Sequence, residues 1–216
     1  MLRRRIAVPI AAGLLLASPA LTACGSDPAH PGAAAVVGDH RITVSALQSK
    51  VNEVRAAQAK SPQGDQLIDS SGTLSTQTLS MLVQNEVIDK AVRDAGITVS
   101  AGDVQREHAA ALQQFGGSEQ QLDSALLTQY KIAPSAVDAF FRTNVGVGKL
   151  IQSLGYQPGS DGGNAAVLAA ITKTAASLGV HVNPRYGTWD ARKAIIGTAT
   201  DPWVVTKTPA VVGQSA

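Results

Sequence analysis

From Thr43 to Leu178 the chain repeats one device: a residue that can cap or open a helix, apolar residues at spacings of three and four, then a glycine or proline that stops the run. Strands would require alternation instead, so this stretch must be helical. Thr43 is a good N-cap, and Val44, Leu47, Val51 and Val54 form the apolar face of a first helix reaching about Ala59. Ser61 to Ser75 is rich in Ser, Gly, Gln and Asp, contains Pro62, and reads as a loop. A second helix is predicted from Thr76 to Ala95, with Gly96 as its C-cap. A third runs from Ala101 to Phe115, entered through a capping box of Ser100 and Asp103 and closed by Gly116-Gly117. Ser118 caps a fourth, Glu119 to Tyr130. Pro134 suits the first turn of a fifth, which carries Val137, Phe140, Phe141, Val147, Ile151 and Leu154 on one face. Gly146 and Gly148 inside it mark a close helix crossing or a bend. After the break GYQPGSDGGN, Asn164 is read as the cap of a sixth helix, Ala165 to Leu178.

Two segments depart from this pattern. AAAVVGDHRIT, ahead of the first helix, reads as a strand and a tight turn at Gly38-Asp39. VHVNPRYGTWDARKAIIG, Val180 to Gly197, is strand-like and aromatic around an Asn-Pro pair. The expected fold class is therefore mainly α, about six helices with a small two-stranded β element joining the N- and C-terminal segments. Aromatic residues are only 4% of the sequence against 44% apolar, so Ala, Val and Leu must fill most of the core.

The first two dozen residues stand outside this fold. MLRRRIAVPIAAGLLLASPALTAC is a basic cluster, an apolar run and small residues, the pattern of a secretory signal. Its apolar stretch contains Pro9 and Pro19 and is short of the ~20 residues of a spanning helix. Leu21-Thr22-Ala23-Cys24 resembles the bacterial lipobox, which implies lipidation of Cys24 and cleavage just before it. The expected organisation is a lipoprotein signal over 1–23, a linker over 24–32, the folded domain over 33–197 and a tail over 198–216. The chain would then sit on the outer face of a bacterial membrane, held by Cys24. That residue is the chain's single cysteine, which rules out an internal disulfide. The signal holds three arginines of the 18 basic residues, and its removal leaves 15 against 16 acidic ones. A nearly neutral chain with scattered Lys and Arg lacks the clustered basic face that nucleic acid requires.

In this order the elements resemble the N-terminal domain of SurA- and PrsA-type extracytoplasmic chaperones. AAVVGDHRITVSALQSKV is similar to their opening strand, Gly-centred turn and first helix. Gly96 to Leu150 is similar to their helical core, with its Phe-Gly-Gly break, Ala-Pro-Ser start and aromatic pair. The resemblance implies a helical cradle for unfolded polypeptide, completed by the returning end of the chain. The expected return is Tyr186 to Ile196, pairing with the strand around Val36, with Gly187 allowing close backbone approach and Trp189 contributing to the shared core. Larger relatives carry a parvulin isomerase before the return. Here about two dozen residues separate Gly155 from Val180, where a domain needs ~50 or more.

No catalytic constellation competes with this reading. His30, His40, His108 and His181 lie on separate segments without metal-pair spacing. No serine stands in Gly-x-Ser-x-Gly, and no Gly-rich loop has a phosphate cradle's Lys. Glu86, Asp89 and Asp94 share a helix with Lys90 and Arg93, which favours surface ion pairs. The function expected is non-covalent: a chaperone-like binder of unfolded or newly secreted polypeptides, not an enzyme, without cofactor or metal. Phe115, Phe140 and Phe141 are the candidates to line an apolar groove, though all three also suit a closed core. The alternative is an assembly or sensor subunit that holds one dedicated membrane or cell-wall partner.

Overall fold

The strand read ahead of the first helix is the centre of a sheet. β1 (Ala33–Val37) is buried along its whole length and pairs antiparallel with β2 (His40–Thr43) across the Gly38-Asp39 turn. The computed structural model describes residues 31–62, 64–69 and 73–197, which belong to one compact unit. The signal, Cys24 and the tail after Gly197 lie outside the described residues.

Thr43 caps α1 (Val44–Ala59), its Oγ1 accepting from the Ala46 amide at 3.1 Å. Leu47, Val51 and Val54 are buried, as their spacing requires. The predicted loop from Ser61 to Ser75 instead holds a short helix, α2 (Gly64–Asp69), packed on α1. Its six residues are too few for a helix that stands alone, so burial of Leu67 supplies what local propensity does not. α3 (Leu74–Asp94) is the longest element and buries Leu79, Val83 and Val87 in the main core. On its outer side Lys90 pairs with Asp94 one turn on.

α4 (Ala101–Gln114) opens with the full reciprocal capping box of Ser100 and Asp103. α5 (Glu119–Tyr130) has the predicted bounds, with Ser118 Oγ accepting from the Gln121 amide. Pro134 opens a 3₁₀ turn, Pro134–Ala136, that runs into α6 (Val137–Ser153). Gly146 lies where α6 crosses α3: a Cβ there would stand 3.2 Å from Val92 Cγ2, whereas Gly148 has nothing within 4 Å. The crossing is the correct reading for Gly146, and α6 carries no break. α7 (Asp161–Leu178) starts four residues earlier than read, because Ser160 caps it, its Oγ accepting from the Gly163 amide at 3.1 Å. This helix fills the interval between Gly155 and Val180.

The returning segment differs from the expected one. The partner of β1 is β3 (Val180–Val182), which follows α7 directly and sets Val36 opposite His181 in a sheet of order β2-β1-β3. Gly38 N–H donates to Gly179 O at 3.2 Å and Asn183 N–H to Ala34 O at 2.9 Å, sealing both ends of the pairing. Tyr186 to Ile196 forms a separate hairpin, β4 (Thr188–Asp190) with β5 (Ile195–Gly197), laid on α3. Three α3 side chains at i, i+4 and i+8 hold its backbone. Thr76 Oγ1 donates to Tyr186 O at 3.0 Å, Ser80 Oγ accepts from Ile196 N–H at 3.1 Å, and Gln84 Nε2 donates to Ala194 O at 2.7 Å. Gly187, at φ +127°, does allow a close backbone approach, but to Gly197: a Cβ on it would lie 2.1 Å from the Gly197 carbonyl oxygen. Trp189 is half-buried against the main core beside the buried Tyr186 and Ile196. The class is thus mainly helical, with six long helices, the short α2 and small antiparallel sheets of three and two strands among the described residues.

Candidate functional site

α1 turns a second stripe of side chains toward α5. Glu53, Ala56, Ala57 and Lys60 recur at i, i+3, i+4 and i+7 and so form one stripe. Opposite them α5 presents Gln121, Ser124, Leu127 and Thr128, and the 3₁₀ turn adds Pro134 and Ser135. Between these walls lies a groove of about 1060 Å³, reached by Phe115 just after α4. Its hollow has a simple origin. Ala56 and Ala57 on one side and Ser124 and Ala125 on the other are too small to close the gap between two helices.

The groove is apolar along its floor, where Leu127 and Ala133 are buried, and mixed at its rim. Lys50 Nζ donates to both carboxylate oxygens of Glu53 at 3.0 Å, and Ser135 Oγ donates to Oε2 at 2.9 Å. These bonds, that from Lys50 first, hold the Glu53 carboxyl below its usual range and tie α1 to the 3₁₀ turn. Asp123 moves the other way: burial first, then the charge of Glu119, pushes its carboxyl up. No ion pair of Asp123 occurs among the described residues.

The three phenylalanines have three different places. Phe115 is half-buried and lines the groove. Phe140 is half-buried outside it, its ring 5.8 Å from that of the exposed Tyr130 and 5.5 Å from that of Phe141. Phe141 is 4% exposed and belongs to the core of α4, α5 and α6, with the His108 ring 5.1 Å away. Adjacent helical residues point about 100° apart, which separates this pair. The groove residues missed in the sequence, Ala56, Ala57, Ser124 and Thr128, are small or polar and carry no individual signal. Only their helical spacing on two facing helices could have shown them. Among the described residues, no group of three or more His, Asp or Glu could hold a metal ion, and no helix is long and apolar enough to cross a membrane.

A second polar cluster fixes the far side of the fold. Asp103 Oδ2 accepts from Lys149 Nζ of α6 at 2.6 Å and from the Ser100 hydroxyl and amide at 2.7 and 2.9 Å, and Arg106 pairs with the other oxygen. Lys149 first and Ser100 second hold this carboxyl far below the usual carboxylate range. The cluster clamps the start of α4 to α6, as a structural device.

Among the described residues, helices joined by a small sheet that unites the two ends of the fold leave an open groove between α1 and α5. Residues 1–131, more than half of the chain, match the family described as the SurA-like N-terminal domain, and the chain belongs to that family. Membership makes it a chaperone-like domain of extracytoplasmic type. The match covers β1 to α5 and thus both helical walls of the groove. Neither the curated proteins nor the solved structures include a match.

Proposed function

We propose that this chain is a lipid-anchored, extracytoplasmic chaperone-like protein that holds unfolded or newly secreted polypeptide in the groove between α1 and α5, without isomerase or other enzymatic activity. The observation that carries the reading is the groove wall itself. Small apolar side chains give an extended backbone room to approach, while the amides and hydroxyls of Gln121, Ser124 and Thr128 satisfy its polar groups whatever its sequence. Phe115 offers one aromatic face for an apolar side chain of the client, and Phe140 with Tyr130 offers another outside the groove. Phe141 supports that pair from below. α7 occupies the interval in which larger relatives carry an isomerase. A diacylglycerol anchor on Cys24 would keep the groove near the point where clients emerge and raise its effective concentration there.

The test uses the chain from Gly25 to Ala216, which keeps every described residue. It is expected to slow aggregation of a reduced, unfolding client at near-stoichiometric ratios, and to leave the slow prolyl phase of refolding, with its barrier of ~20 kcal/mol, unaccelerated. Ser124→Trp, which fills the groove, should remove the protection while the melting transition persists. Protection that survives a filled groove would refute the site. Absence of protection together with tight binding of one native partner would replace the reading with that of a dedicated assembly or sensor subunit.

A further inference from the structure

The groove has a candidate occupant in the chain itself. Gly197, the last described residue, pairs with Thr188, beside Tyr186, whose carbonyl accepts from Thr76. The described chain therefore ends at the N-terminal end of α3. α1 and α3 run antiparallel: His40, just ahead of α1, pairs with Glu86 halfway along α3 at 3.1 Å, and Ala57 near the end of α1 shares a core cluster with Leu74 at the start of α3. The exit point thus lies at the end of the helix pair that carries Ala56, Ala57 and Lys60 of the groove wall.

The sequence that follows suits such a groove. Asp201-Pro202-Trp203-Val204-Val205-Thr206-Lys207 joins an apolar, β-branched centre to Pro202, which fixes φ and keeps the residue before it out of helix. Trp203 stands six residues beyond Gly197, a reach of ~20 Å when extended. The charges also match in order. A segment entering from the Lys60 end presents Asp201 to Lys60 first and Lys207 later, toward Glu53, seven residues back along the same stripe of α1.

We propose that Asp201–Lys207 docks in the groove between α1 and α5 as an intramolecular occupant that competes with client polypeptide. The docking stands on the exit geometry and the charge order, and the competition rests on the client reading above. A segment tethered this closely acts at an effective concentration of about 1 mM, so even an intrinsic affinity near 0.1 mM keeps the groove occupied roughly nine-tenths of the time. Client affinity is then reduced about tenfold in the intact chain.

Two measurements on the Gly25–Ala216 chain, which has no cysteine, separate the two parts. Ser124→Cys with Val205→Cys should join within one molecule through a short bis-maleimide, with a yield independent of dilution. Leu168→Cys on α7 with Val205→Cys should not. A joined dimer, which would place a second copy in the groove, or no joining at all, would overturn the docking. In the second measurement, a reduced, carboxymethylated protein labelled with fluorescein serves as client. Trp203→Asp, and independently Val204→Asp, should tighten its binding about tenfold with an unchanged melting curve. Equal binding to wild type and both variants would overturn the competition. Failure of the client to bind any form would remove the client reading, and the cross-linking result would still decide the docking.

Discussion

Gln58 lies on the core face of α1, 0% exposed, and among the described residues neither its amide nitrogen nor its amide oxygen has a hydrogen-bond partner. It follows Leu47, Val51 and Val54 on the same stripe, so the position is one an apolar side chain would fill. Each unpaired group forgoes the hydrogen bonds water would give it, at a cost of about 1–3 kcal/mol. Gln58→Met keeps the length of the side chain and replaces both groups with apolar atoms. The expected result is stabilisation by about 2 kcal/mol, which for a domain of this size is a rise of about 4–8 °C in Tm. Gln58→Ala also removes the two groups but leaves a cavity, whose cost of about 2–5 kcal/mol cancels or exceeds the gain. Urea unfolding of the three proteins, with equal m-values, gives the comparison. A loss of more than about 1 kcal/mol in Gln58→Met would show that the amide has partners in the folded protein and would refute the reasoning.

Gly187→Ala should open the β4–β5 hairpin, since its Cβ would meet the Gly197 carbonyl at 2.1 Å, and should cost above about 3 kcal/mol by thermal melting. Gly148→Ala, with open space around it, should instead stabilise by about 1 kcal/mol. Asp103, whose carboxyl Lys149 and Ser100 hold low, favours folding while ionised. That contribution is complete above the unfolded value of about 4 and is lost as the pH falls through the lower folded value, so urea midpoints should decline below pH ~4 and decline less in Asp103→Asn. Cys24→Ser should abolish metabolic labelling with fatty acid and release the protein from the membrane fraction, and unchanged labelling would contradict the anchor.

The helices were legible wherever the signal was local. α5 has its predicted bounds because Ser118 and the glycines before it leave no other start. α7 began early because GSDGGN reads as a break, while Gly163, packed against Ile151 Cγ2 at what would be 2.9 Å from a Cβ, is a glycine kept for packing inside a helix. α2 was missed because tertiary burial of Leu67 supports it rather than its own residues. The union of the two chain ends was legible, but not its register. Tyr186, Trp189 and Ile196 carried the stronger apolar signal, whereas Val180–Val182 is placed by the turn at Gly179, which delivers the chain to β1 at once. Of the three phenylalanines singled out in the sequence, Phe115 alone lines the groove. Aromatic content drew attention to Phe140 and Phe141, but a groove between helices is made by what is small, and alanines and serines give no sign of it until two helices face each other.

The central claim is that client polypeptide lies between α1 and α5. A photoreactive phenylalanine analogue placed at Thr128, in the groove wall, and separately at Tyr156, an exposed residue beyond α6, tests it directly on irradiation with an unfolded, reduced client. The account predicts client adducts from position 128, lost when Ser124→Trp fills the groove, and few from position 156. Equal capture at the two positions, or capture at 128 that persists in the filled groove, would contradict it.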